Sequence, residues 1–293
     1  MPNQTQTDTT GPMDRVTDFT IRMLIRAALM LPYATRIKVF GALTQHVIGP
    51  LIGYTARSRA NLAMIYPELS RFRREKIADE VSRNTGRVLI ENYAPADLAK
   101  RARNFPVTGE GAAALRDAHA QGRRIIAVSA HFGNYEAARA ALNIRGIGFG
   151  GVYRPMRNPY FNDHYVDTIR AVAGPVYPST PAGMTGFVKQ LIKGVPMMLL
   201  NDLHITKGQR MPFLGKPAKT ALTAAEMALR YDALLIPIYG IRSTENPLDY
   251  RVHVDAPIPR SDAAAMTLAL NESLEARIAE DTAQWFWIHR RWK

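Results

Sequence analysis

The sequence predicts an α/β fold: a central, mostly parallel sheet flanked by helices, with a helical N-terminal extension. Two observations carry this expectation. From residue 123 onward short apolar runs alternate with amphipathic helical stretches, the texture of strand–helix units. The first third lacks such runs and reads as helix of mixed charge. No repeat, low-complexity block or long linker divides the chain. The expected organisation is a flexible tail over residues 1–14, a helical region over 15–104 and an α/β domain over 105–293.

Each element has its own reason. Residues 1–12 are polar, charged only at Asp8, and no apolar run follows a basic segment, so they read as a frayed tail rather than a signal peptide. In the next stretch Arg15, Arg22 and Arg26 share one helical stripe, Ile21, Leu24, Ala28 and Leu31 lie opposite, and Pro32 ends the run. Such a helix either lies in the headgroup layer of an anionic membrane or packs on its own domain. Residues 39–56 carry no charge, but Gly41, Gly49, Pro50 and Gly53 argue for a buried or shallowly inserted helical pair rather than a span. No transmembrane helix is expected. Residues 57–100 continue as helix, with Pro67 opening a new segment and 84–92 packed.

Strands are predicted at 125–130, 149–153, 196–200, 234–239 and 250–254, and helices at 135–143, 185–193, 221–230 and 263–280. Residues 171–188, rich in proline and glycine, read as a loop containing a short strand.

Over 293 residues, 38 Lys+Arg against 25 Asp+Glu leave a net charge of +13, and cysteine is absent. Without cysteine there is no disulfide scaffold, no cysteine-ligated zinc or iron–sulfur site and no thiol nucleophile. The positive excess predicts an anionic partner: nucleic acid, an anionic membrane, an acidic protein or a phosphorylated substrate.

The sharpest local signal is His131. It directly follows a predicted buried strand, where α/β sheets gather ligands and catalytic groups. Glu136 lies five residues on. On a continuous helix that spacing separates the side chains by about 140°, so they meet only if His131 sits in a turn, which Gly133 and Asn134 supply. An imidazole oriented by a carboxylate suits general-base activation of a hydroxyl. The competing reading is plain helix chemistry, with Asn134 as N-cap and Glu136 in the first turn.

Other segments add to it. Arg154 follows a strand and suits phosphate or oxyanion contact. Lys207, Arg210, Lys216 and Lys219 crowd a segment whose single acid is Asp202, and Trp285, Trp287 and Trp292 stand beside Arg290, Arg291 and Lys293. A surface ion pair, a solvated loop and a closed core are the respective dull alternatives.

Taken together, residues 59–70 (RANLAMIYPELS), 86–91 (GRVLIE), 129–136 (SAHFGNYE), 152–155 (VYRP), the 202–220 segment with MPFLGKPAKT and the terminal HRRWK resemble the lipid A biosynthesis acyltransferases within the lysophospholipid acyltransferase superfamily. The likeness runs over most of the chain and implies a glycerolipid-acyltransferase-like fold. It implies transfer of a fatty acyl chain from acyl-carrier protein, or less often acyl-CoA, to a hydroxyl of a lipid acceptor at the cytoplasmic face of the inner membrane. On that reading His131 is the general base and Glu136 orients it. Asn134, Tyr153, Arg154, Asp202 and Gly215 contact substrate, with Arg154 and amides near Asn134 on the oxyanion or phosphate. Attack is direct, with no acyl-enzyme, and neither a metal nor another cofactor is expected.

Many members of that family begin with a clearly apolar membrane helix, whereas here Arg22 and Arg26 interrupt it, favouring peripheral attachment. The same dyad would serve a lyso-aminolipid, lysophospholipid or glycolipid acceptor. An esterase or thioesterase would usually use a serine in a Gly-x-Ser-x-Gly elbow, which is missing. Nucleic-acid binding, suggested by charge alone, has no recognised module and is not expected.

Overall fold

The computed structural model describes residues 11–293, so the expected N-terminal tail lies, up to residue 10, outside the described residues. The helical region consists of α1 (Pro12–Leu29), α2 (Tyr33–Leu43), a π-helical turn (Thr44–Ile48), α3 (Gly49–Leu51), α4 (Tyr54–Ile65), α5 (Arg71–Asn92) and α6 (Pro95–Ala102). Helix α1 starts inside the stretch expected as tail, because proline at the first helical position has no N–H to lose.

The rest alternates: β1 (Val107–Thr108), α7 (Ala112–Ala120), β2 (Ile125–Ser129), α8 (Tyr135–Asn143), β3 (Gly150–Tyr153), α9 (Pro159–Val172), β4 (Val176–Pro178), α10 (Pro181–Ile192) and β5 (Met197–Leu200). A hairpin follows, β6 (Gln209–Phe213) and β7 (Lys216–Thr220), then α11 (Thr223–Arg230), β8 (Leu234–Arg242), β9 (Tyr250–Val254) and α12 (Ala263–Glu280). The main sheet runs β1-β9-β8-β2-β5-β3-β4. Pairing is parallel throughout except between β8 and β9.

Helices α8 and α12 match their predicted bounds, and all five predicted strands are present. The expected loop over 171–188 is instead the end of α9, strand β4 and the start of α10. Pro181 opens α10 behind the Thr180 N-cap, whose hydroxyl accepts the Gly183 amide at 3.2 Å, so the prolines there delimit elements rather than forbid them.

All five residues of β2 are buried, as a parallel strand covered on both faces requires. Ile125 and Ala127 meet α8 and α7 on one face, while Ile126 and Val128 meet α10, α11 and α12 on the other. In α8 the small side chains Ala137, Ala138, Ala140 and Ala141 are all buried, letting that helix lie close on the sheet. A third apolar cluster joins Leu62 of α4 and Val81 of α5 to Phe132, Phe213, Trp285 and Trp287.

Two features fix the helical region on this layer. A Cβ on Gly86 of α5 would lie 2.2 Å from Thr44 Oγ1 and 2.3 Å from the Phe40 carbonyl, so bare backbone is what lets α2 and its π turn lie against α5. Fully buried Glu91 accepts from Arg242 at 3.0 and 2.7 Å, from Tyr33 at 3.3 Å, from Asn134 at 3.2 Å and from the Tyr250 hydroxyl. That network ties α5 to β8 and to the turn after β2.

Helix α1 faces the opposite way from an anion-seeking helix. Arg22 donates to Asp18 at 2.7 Å and to the Tyr160 carbonyl at 2.9 Å, Arg15 to the Tyr160 hydroxyl at 3.0 Å, and Asn158 to the Asp14 carbonyl at 2.8 Å. Its polar side therefore packs toward α9, leaving Met13, Val16, Phe19, Met23 and Leu24 exposed. Val39, Leu43, Val47, Leu51 and Ile52 are exposed at the corner between α2 and α4. Among the described residues no helix is long and apolar enough to cross a membrane.

Candidate active site

The site lies at the carboxyl end of the sheet, where strand register decides who meets whom. Strands β2 and β5 pair with Ser129 opposite Leu200, and the ladder continues with the Asn201 amide donating to the Ser129 carbonyl at 3.2 Å. Carried forward equally on both strands, that register sets His131 beside Asp202. The Asp202 Oδ1 lies 2.9 Å from His131 Nδ1, and its Oδ2 accepts from the His131 amide at 2.9 Å and from Trp285 Nε1 at 3.0 Å. An ionised carboxylate only accepts, so Nδ1 carries the proton and the Nε2 lone pair is free.

The electrostatics follow from this contact. Burial alone would lower the His131 pKa, but the charge and hydrogen bond of Asp202 more than offset it and hold the imidazole above its ordinary value. Burial would raise Asp202, yet His131, with His289 adding to it, pulls it far below the usual carboxylate range. The Asp202 side chain is 0% exposed and His131 keeps 27%, so one partner is sealed and the other reaches the open side.

Gly133 shapes the turn that follows. It adopts φ 55°, and a Cβ there would stand 1.9 Å from the Gly240 carbonyl oxygen. The turn is thereby clamped to β8, with the Asn134 amide donating to Gly240 at 2.8 Å and the Gly133 amide to Gln284 at 3.0 Å. Fully buried Asn134 caps α8, accepting from the Glu136 and Ala137 amides at 3.0 and 3.3 Å. These amides, expected as oxyanion donors, are engaged within the protein.

Glu136 is not on the imidazole. Its two oxygens lie 2.9 and 2.6 Å from Arg139 Nη1, one helical turn away, and Arg139 also donates to the Phe149 and Ala173 carbonyls. Both side chains are buried. Burial raises the Glu136 pKa even against the pull of Arg139. The motif places Glu136 in the first turn of a helix whose buried face it serves, while the neighbouring strand supplies the carboxylate for His131.

The other expected residues divide. Tyr153, at the end of β3, lines a water-sized void of about 30 Å³ with Tyr135, Glu136 and Arg139. Arg154 is exposed just beyond it. Gly215 sits at the exposed tip of the β6–β7 hairpin, apart from the His131–Asp202 pair. Of the basic tail, Arg290 and Lys293 are exposed, but Arg291 is fully buried and donates to the Leu203 and Lys219 carbonyls at 3.3 and 2.6 Å and to Thr220 Oγ1 at 2.6 Å.

Three residues of the C-terminal segment join the site without having been expected as site residues. Trp285 donates to Asp202, while Phe286 lies tilted and His289 edge-on beside His131, with ring centroids 6.0 and 4.8 Å away. His289 Nε2 is buried without a partner among the described residues, and burial, aided by the charge of His131, lowers its pKa to about 4. Their one signal is aromatic density near the C-terminus. Donor atoms of His131, Asp202 and His289 lie within 4.8 Å of one another, a ligand set of the kind that holds a divalent cation. Both Asp202 oxygens already accept N–H donors, which a cation would have to displace.

His131 opens onto a cavity of about 370 Å³, within the range of small-molecule sites. Gly133, Tyr135, Trp285 and Phe286 line it near the imidazole, and Ile48, Val81, Thr85 and Val88 line it between the helices. Ile52 and Leu89 both border it and are exposed, 51% and 52%, so its apolar wall runs out to the surface.

The sequence family described as bacterial lipid A biosynthesis acyltransferase matches residues 9–293. Two lipid A biosynthesis acyltransferases of Haemophilus influenzae are similar: one is 24% identical over 284 residues, covering 92% of this chain and 87% of the relative. The other is 23% identical over 266 residues, covering 88% and 81%. A lipid A biosynthesis lauroyltransferase of Escherichia coli is 25% identical over 239 residues, covering 80% and 77%.

Proposed function

Because the chain belongs to the bacterial lipid A biosynthesis acyltransferase family, and so is an acyltransferase, we propose that it moves a fatty acyl chain from an acyl thioester to a hydroxyl of a lipid A precursor, with His131 as general base. The observation that carries this reading is the His131–Asp202 pair at the mouth of an apolar cavity. The acceptor oxygen attacks the thioester carbonyl carbon as its proton passes to His131 Nε2. Asp202 holds the tautomer and stabilises the imidazolium that forms. As the tetrahedral intermediate collapses, the C–S bond breaks and the thiolate takes the proton from Nε2. The acyl chain lies in the cavity between α5 and the residues after β2, and exposed Arg154 is free to meet the acceptor's phosphate or the developing oxyanion.

Attachment to the cytoplasmic face of the inner membrane is part of the same proposal. It is supported by the exposed apolar side chains of α1 and of the α2–α4 corner, where Ile52 also borders the cavity. The direct test incubates purified protein with an acyl thioester and a lipid A precursor and follows the acceptor by mass spectrometry. A gain of one acyl group that disappears in His131→Ala supports the reading; no gain with any thioester overturns it.

A further inference from the structure

The β6–β7 hairpin carries charge in an arrangement that the fold alone does not favour. Its register places Arg210 directly opposite Lys219, with Met211 opposite Ala218 and Pro212 opposite Pro217. Met211, Phe213 and Ala218 are buried, so alternation turns Arg210 and Lys219 to the outer face, while Lys207 and Lys216 stand exposed at its two ends. Like charges directly opposite on a ribbon repel. Nothing nearby relieves them: none of the four forms an ion pair among the described residues, and Asp202, the one acid of the segment, is sealed against His131. Glu275 reaches the hairpin tip, but its Oε1 accepts the Leu214 amide at 2.7 Å. Among the described residues the Lys219 ammonium finds only the Thr206 carbonyl, at 3.0 Å.

The inner face of the same ribbon abuts the site. Phe213 meets Trp285 edge-on at 5.3 Å between centroids, and that indole donates to Asp202. Arg291 clamps the ribbon from below through Lys219 and Thr220. The ribbon is thus linked through Phe213 and Trp285 to the carboxylate that positions His131.

We infer that this outer face is the docking surface for an acidic carrier protein that presents the acyl chain as a thioester on a flexible arm. The inference rests on the acyl-thioester reading above. Charge complementarity selects the partner's sign, and two further features select its kind. The strands expose no large apolar side chain, unlike α1 and the α2–α4 corner, so this face suits a charged protein surface rather than the interior of a bilayer. The facing prolines remove N–H donors from both strands, which disfavours addition of a further strand and leaves charge as the means of holding the partner.

Arg210→Glu tests this, because it removes one docking cation and gives Lys219 an opposite charge across the ribbon. The variant should melt no lower than the parent, and the KM for acyl-carrier protein should rise about 10-fold with kcat unchanged. The KM for acyl-pantetheine, which has neither carrier nor phosphate charge, should not move. Direct binding of the unacylated carrier protein should weaken by a similar factor, and parent binding should fall as salt rises. Carrier KM and binding within about twofold of the parent would overturn the docking surface. So would an equal KM rise for acyl-CoA with none for the carrier, since the ribbon would then read nucleotide phosphates. Failure of the parent to use any thioester would instead refute the acyl-transfer reading, and the binding arm would still decide whether the ribbon docks the carrier.

Discussion

Nδ1 of His131 stands 2.9 Å from one oxygen of Asp202 while the other oxygen takes the amide of the same histidine. One carboxylate therefore sets both the position of the residue and the tautomer of its ring. Asp202→Asn preserves the size of the side chain but accepts through only one atom, so the imidazole loses its fixed tautomer and its charge stabilisation. Turnover should fall by about 10³–10⁴-fold with little change in KM. Near-parental kcat in a variant with an intact near-ultraviolet dichroism spectrum would remove Asp202 from the mechanism.

Glu136 should behave differently. In Glu136→Gln the buried Arg139 guanidinium loses its counter-ion, which costs about 3–5 kcal/mol of stability. Thermal melting should drop by many degrees, while the pH profile of whatever remains folded keeps its shape. A variant that melts like the parent yet has lost turnover would place Glu136 in the chemistry after all.

The pH profile follows from the sign of the His131 shift. The base works when neutral, and Asp202 raises its pKa above about 6.5, so kcat/KM should fall as pH drops through that raised value. His289, lowered to about 4, stays neutral across the same interval. His289→Gln should therefore leave the acid limb in place, and a limb that moves with His289 would assign it to the wrong histidine here.

Chain length should answer to the cavity. Thr85 lines it from α5 and is only half-buried, so Thr85→Phe fills space without breaking the core. Each methylene excluded from an apolar site is worth about 0.8 kcal/mol, so preference should swing toward donors two carbons shorter by about 15-fold. Competition between two acyl thioesters reads the ratio directly; an unchanged ratio puts the acyl chain elsewhere.

Membrane attachment through α1 should be apolar in character. Phe19→Asp combined with Leu24→Asp should release the protein from liposomes, and parental binding should persist at salt concentrations that screen charge. Retention of the double variant would show that α1 does not make the contact.

The sequence made the sheet legible because its strands are short buried runs and its helices amphipathic or well capped, as with Asn134 before α8 and Asp262 before α12. It made His131 legible because position after a buried strand is local information. Asp202 was legible only as an expected substrate contact, since its partnership with His131 depends on β5 lying next to β2, a neighbour relation without local signature. Glu136 was misplaced for the converse reason: its spacing is local, but its partner, Arg139, lies one helical turn further on. The hairpin went unseen because its segment read only as a basic stretch or a solvated loop, although a two-stranded ribbon tolerates the prolines at 212 and 217.

The turn after β2 is held by groups drawn from far along the chain: His131 finds Asp202 across 71 positions, and Asp202 finds Trp285 across 83. Such contacts close long loops and form only once distant segments of the chain have come together. A chain that has built β2 and α8 but not the rest holds its histidine without the carboxylate that arms it. On the proposed mechanism, the full strength of the base is thus a property of the finished tertiary structure rather than of the strand and helix that carry the histidine.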